Sequence, residues 1–233
     1  MSKSLTLSAA LAPLCALALG DAASAATINT ATTVPVATAT ATNGAPDDIL
    51  LDTAGSITLT TAGPAITLNS NNNVTQNGAI TTTDVNGAVG VLILGGRTGS
   101  YTGLSSSTIT FNETYAPTDT VNADGVVEAP FASGAGRFAI RLTGPGTFTG
   151  NILSGGSLTV KGNNSYGLSI EAPLNGSVTV AGVTLQGDNG SAVNIAGPVA
   201  GNVQLTGAVS VVGANSTGLS VTDPFSGASM ERP

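Results

Sequence analysis

The sequence contains no histidine and no tryptophan, and it has one cysteine, Cys15. Without histidine there is no Ser-His-Asp triad, no Cys-His dyad and no imidazole-ligated metal. One cysteine gives neither an internal disulfide nor a thiolate zinc site. Charge is scarce too. Asp, Glu, Lys and Arg make up 8% of the 233 residues, against roughly 25% in ordinary soluble proteins. Six scattered basic residues against thirteen acidic ones give a net charge of −7. Such a chain cannot neutralise a row of phosphates, so nucleic acid is not an expected partner.

The N-terminus reads MSKSLTLSAALAPLCALALGDAASA. Lys3 supplies a positive start, Leu5 to Leu19 an uncharged apolar stretch, and Ala23, Ser24 and Ala25 a small-x-small cleavage site. This three-part order is that of a secretory signal peptide over residues 1–25. The stretch is short of the roughly 20 residues a membrane span needs, and Pro13 interrupts it. A lipoprotein site would place a small residue before Cys15, but Leu14 stands there. Cys15 therefore leaves with the signal, and the expected partner at this end is the Sec export machinery.

Residues 26–46 are Ala/Thr-rich with little large apolar content and read as a loose leader, or as a strand edge given the β-preference of threonine. From Asp47 onward the pattern changes to short alternating runs such as SITLT (56–60), TITF (108–111), SLTV (157–160) and SVTV (177–180). Each has an aliphatic face and a Thr/Ser face, which is the period of a half-buried strand. Gly, Asn, Asp and Pro fill the breaks.

The second half repeats. GNNSYGLSI (162–170), GDNGSAVNI (187–195) and GANSTGLSV (213–221) begin 25 and 26 residues apart. A related copy starts at Gly136, and a degenerate one at Gly90. Residues near 112–132, with Glu113, Asp119, Asp124 and Glu128, break the pattern and read as an inserted loop. A β-sandwich is the competing architecture, and Asn86-Gly87 and Asn175-Gly176 would suit its hairpins. A recurring unit made only of short strands instead favours an all-β, right-handed single-stranded parallel β-helix, a solenoid of roughly seven coils over residues 47–222. In that build Ile170, Ile195 and Val221 share one inward column, and Val180 and Leu205 another. Charged outward columns would repel across about 4.8 Å, so low charge follows from stacking itself.

The signal peptide, the Ala/Thr-rich leader, the opening GAPDDILLDTAGSITL (44–59) and coils of the GLSI (167–170) type together resemble the passenger region of a bacterial autotransporter. The resemblance implies export of a β-helix to the cell surface or outer membrane through a C-terminal barrel. It implies a structural or adhesive role, with a cell surface or polysaccharide as partner. No barrel-like run of long amphipathic strands with aromatic girdles is present. Residues 223–233 read as an irregular tail of a truncated or N-terminal piece. Without a barrel the expected location is the periplasm.

No catalytic, cofactor-binding or metal-binding set is expected, and no cofactor. Asp47, Asp48 and Asp52 are the densest acidic cluster, and they read as a solvated turn rather than a Ca²⁺ site, which takes six or more oxygens. Arg137 and Arg141 share parity and, with Lys161, read as an exposed, salt-bridged strand face. A polysaccharide lyase or hydrolase is the alternative function. It would bring Arg141, Lys161, Glu171 and Asp188 into one cleft. Tyr101, Tyr115 and Tyr166 are too dispersed for a sugar groove and read as loop packing. Gly95-Gly96 and the glycines at 134 and 136 are turn residues that open no helix, so no phosphate cradle is implied. The exported chain is expected to give a strand-rich circular dichroism spectrum; a dominant helical signal would contradict the fold assignment.

Overall fold

A computed structural model describes residues 25–121 and 124–223. Most of the predicted signal peptide, including Cys15, and the tail from 224 onward lie outside the described residues.

The alternating runs become strands, and each passage around the body lays down up to three of them. Coil one contributes Ala26–Ile28, Ala31–Thr32 and Val36–Ala37, followed by a 3₁₀ turn at Thr38–Thr40. Coil two has Ile49–Leu51, Ser56–Thr58 and Gly63–Leu68. Coil three has Val74–Gln76, Ala79–Thr83 and Ala88–Leu94. Coil four has Tyr101–Gly103, Thr108–Asn112 and Phe138–Thr143. In coils five and six one long strand covers the first two faces: Ile152–Lys161, then Tyr166–Ile170, and Val178–Gln186, then Ser191–Ile195. Coil seven has Val203–Leu205, Val209–Val212 and Thr217–Val221. Short strands at Phe148–Thr149 and Leu174–Asn175 pair at the corner before the first face.

Strand pairs between coils are parallel throughout, so the body is a β-solenoid of about seven turns. Two points differ from the sequence expectation. Residues 26–46 are not a separate loose leader: their strands pair with Ile49–Leu51, Ser56–Thr58 and Gly63–Leu68 and complete coil one. Among the described residues, coil one packs on coil two alone. The insertion runs from 113 to 137, between the second and third faces of coil four, and contains no strand among its described residues.

Inward side chains stack in columns. Leu68, Ile93, Leu142, Ile170, Ile195 and Val221 form one, as the repeat implied for its last three members, with Val221 exposed in the last coil. Ile57, Ile80, Ile109, Leu158, Val183 and Val209 form another. Each fully buried aliphatic contributes about 1.5–3 kcal/mol, so the columns hold the coils together.

The repeated G-x-N motif makes the corner between the second and third faces. Asn164, Asn189 and Asn215 have φ of 49°, 58° and 56°, a left-handed conformation that asparagine tolerates. A Cβ on Gly187 would collide with the Gly162 carbonyl, and one on Gly213 with the Gly187 carbonyl. The chain therefore needs glycine where successive corners touch.

One column carries polar groups. It runs Leu51, Gln76, Gly103, Ser154, Val180 and Leu205. Tyr101, in the neighbouring column, is buried and donates its hydroxyl to Gln76 Oε1 at 2.7 Å. Gln76 Nε2 donates to the carbonyls of Gly78 and Thr108, both at 3.0 Å. Gly103 is small because the Tyr101 hydroxyl lies where a Cβ would point. Tyr101 is thus a core residue rather than loop packing, and burial pushes its phenol well above the ordinary value. Tyr101→Phe leaves Gln76 Oε1 buried without its donor. It is expected to cost about 1–3 kcal/mol in urea denaturation; an unchanged midpoint would show that water or a rotated amide replaces the hydroxyl.

Candidate functional site

The three acidic residues near the start do not converge. Asp47 is buried and accepts from the Thr42 hydroxyl at 2.6 Å and the Asp48 N–H at 2.8 Å. Asp52 accepts from the Thr53 N–H in a local turn. Asp48 faces the next coil, where the Asn73 N–H and the Asn72 and Asn73 amides donate to it. Partial burial pushes its carboxyl up, but these bonds outweigh burial and hold it below the ordinary value. Asn73 in turn accepts from the Ser100 hydroxyl. Asp48 thus anchors a polar ladder tying coils two, three and four, and the buried Asp47 corrects the reading of the whole cluster as a solvated turn.

The expected outward pair of arginines splits. Arg137 lies just before the third-face strand of coil four and is fully buried, a correction to the parity reading. That strand begins at Phe138, and the corner before it turns Arg137 under the loop. Its Nη1 lies 3.3 Å from Glu113 Oε2 and also donates to the Lys161 carbonyl, while Nε donates to the Val85 carbonyl at 2.8 Å. Glu113 accepts from the Ser133 and Gly134 N–H groups. A buried ion pair therefore closes the two ends of the insertion. The returning leg is tied to coils five and six: Asn163 Nδ2 donates to the Ala132 carbonyl and Gln186 Nε2 to the Phe131 carbonyl. Tyr115 stays within the loop, donating to the Pro130 carbonyl. Gly134 and Gly136 belong to this junction, and Gly95 and Gly96 to a turn whose backbone packs against Pro145 and Gly146.

Farther out on the loop, Asp119, Asp124 and Glu128 bring carboxylate oxygens within 4.8 Å of one another, the one such acidic trio among the described residues. Backbone N–H groups of Gly125, Val126 and Thr120 already donate to them. A Ca²⁺ ion would find three of its six to eight oxygens there.

Arg141 does face outward, on the third face. It makes a two-pronged bond to Glu171 in the next coil, Nε to Oε1 at 2.9 Å and Nη2 to Oε2 at 2.8 Å. Its guanidinium also lies 4.3 Å over the Phe138 ring, which stacks on Tyr166 at 4.9 Å. The Ser169 hydroxyl donates to Glu171 Oε1, and Asn194 donates to Ser169. Partial burial pushes the Glu171 carboxyl up, but Arg141, Ser169 and Thr143 outweigh it and hold it below the ordinary value. Of the four groups proposed for a cleft, Arg141 and Glu171 meet. Asp188 sits at the corner before the third face, bonded to the Ala214 N–H at 2.7 Å, and Lys161 ends the second-face strand below it. A carboxylate locked to a non-titrating guanidinium suits binding better than proton transfer. Parity from the sequence located Arg141; its carboxylate partner and the Tyr166 ring stacked on Phe138 depend on register between coils.

No family model, no curated protein and no solved structure matches the chain.

The Glu113–Arg137 pair has a direct test. Removing either partner alone strands a buried charge and is expected to cost about 3–5 kcal/mol, whereas Glu113→Gln with Arg137→Met costs less than the two singles together. A urea double-mutant cycle checks this; additive costs would mean the two charges are not coupled.

Proposed function

We propose that the chain is an exported structural and adhesive module of the autotransporter-passenger kind, working by contact rather than by chemistry. The observation that carries this reading is the parallel coil-on-coil pairing that runs from Ala26 to Val221. A body held by inward columns is quasi-one-dimensional, and its outward rows can vary without loss of the fold. It can space and present a contact surface away from the membrane. The signal-like N-terminus supports delivery through the Sec machinery to the cell envelope. The patch of Phe138, Tyr166, Arg141 and Glu171 supplies rigid rings and fixed hydrogen-bonding edges for a polysaccharide or a neighbouring cell surface.

The alternative, a polysaccharide lyase or hydrolase, draws on the meeting of Glu171 and Arg141 in adjacent coils. The test is expression of the full chain, followed by fractionation and protease shaving of intact cells. The purified protein is then assayed for retention on polysaccharides and for release of reducing or unsaturated ends. Envelope or extracellular location with retention and no release is expected. Cytoplasmic retention would overturn the export reading, and product release abolished by Glu171→Gln would overturn the adhesive one.

A further inference from the structure

The second face presents a rank of hydroxyls. Thr58 stands beside Thr81, then Thr110, Thr159, Thr184 and Ser210, one from each successive coil. All six are partly or fully exposed. The Thr58 and Thr81 hydroxyls are 3.1 Å apart, within hydrogen-bonding distance. Two residues earlier runs a second rank of small uncharged residues: Ser56, Ala79, Thr108, Ser157 and Gly182. At strand spacing the threonine rank is about 24 Å long, with the two ranks about 7 Å apart.

The rank survives two irregularities that would otherwise break it. The insertion leaves the body after Asn112, yet Thr159 still stands beside Thr110. Between coils five and six a register shift at Ser154/Ser157 absorbs one residue. Without that bulge the period of two would turn Thr159 away from Thr184. Among the described residues the other faces hold no such rank. The first-face row reads Thr27, Leu50, Thr75, Thr102, Leu153, Thr179 and Gln204. The third-face row includes Leu92, Arg141 and Asn194. Avoiding like charges applies to every face, so it does not explain why the hydroxyl rank is uninterrupted on the second face while leucine breaks it on the first.

We propose that the second face binds a solid, uncharged hydrogen-bonding lattice, namely the surface of ice. Each threonine offers a hydroxyl and a methyl, and its β-branched side chain is stiff at χ1, so little rotamer freedom is lost on contact. Charge complementarity points the same way. A charged group pressed against ice would lose its hydration without a partner, and both ranks are neutral on a chain of net charge −7. A single glycan chain would be served by aromatic platforms, and neither rank contains an aromatic residue. At the coil-one end the strip opens into a shallow depression lined by Ala31, Thr32, Thr33 and Thr58, which is hydroxyl-rich as well. This assignment goes beyond the adhesive reading and does not rest on it.

The test grows ice slowly from a dilute solution of the full chain, compares protein in the ice with protein in the liquid, and follows recrystallisation of fine-grained ice. Enrichment in the ice and slowed grain coarsening are expected. Thr110→Lys with Thr159→Lys should lose both effects, while Thr75→Lys with Thr179→Lys on the first face keeps them. Circular dichroism establishes that each variant is folded, and Thr159→Lys alone replaces the pair if the pair unfolds. Exclusion of the natural chain from ice overturns the proposal, as does equal behaviour of the two pairs. Retention on crystalline cellulose or chitin with exclusion from ice would assign the face to a glycan instead.

Discussion

Every coil in this protein must fit the coil beneath it at the spacing of a parallel sheet, about 4.8 Å. That constraint acts on each position separately. An inward position must pack on its own counterpart, an outward one must not repel it, and a corner must leave room for the next corner's backbone. The columns of isoleucine, leucine and valine, the threonine and asparagine rows and the glycines at 162, 187 and 213 answer these three demands in turn. Scarcity of charge is a consequence of the same rule.

Several of the remaining charges are placed with partners. Arg137 and Glu113 are buried against each other and close the insertion, and Arg141 and Glu171 bridge two coils on the third face. Asp48 is held by the asparagines of the next coil. In each case hydrogen bonds compensate the cost of taking a carboxylate partly or wholly out of water. The insertion can then leave and rejoin the body without disturbing the rows on either side. A contact surface on such a body is modular: the second face can hold a neutral rank while the third holds rings and an ion pair.

Much of this was legible in order. The strand period identified the inward set, and the 25- and 26-residue recurrence of the glycine motif matched Ile170 to Ile195 and Val221 in advance. Coil one was misread as a leader because Ala26–Ala37 carries too little large apolar content to show a period, and pairing with coil two supplies what the segment lacks. Arg137 was misread because parity holds only inside a strand, and this residue precedes one. Tyr101 gave no local sign of burial. Its site exists because Gln76 lies in the preceding coil, 25 residues before it, and Gly103, two residues after it on its own strand, leaves room for the hydroxyl.

The sequence by itself determined the class of fold, the inward and outward faces, and the corner chemistry, because each of these follows from the order of residues within about one coil. Tertiary structure alone decided which residues become neighbours across coils where the recurrence is irregular. The interval between equivalent positions varies, and the insertion and the bulge at Ser154/Ser157 change it where it matters most. Only once those lengths were resolved in space did Thr110 meet Thr159, and Arg141 meet Glu171.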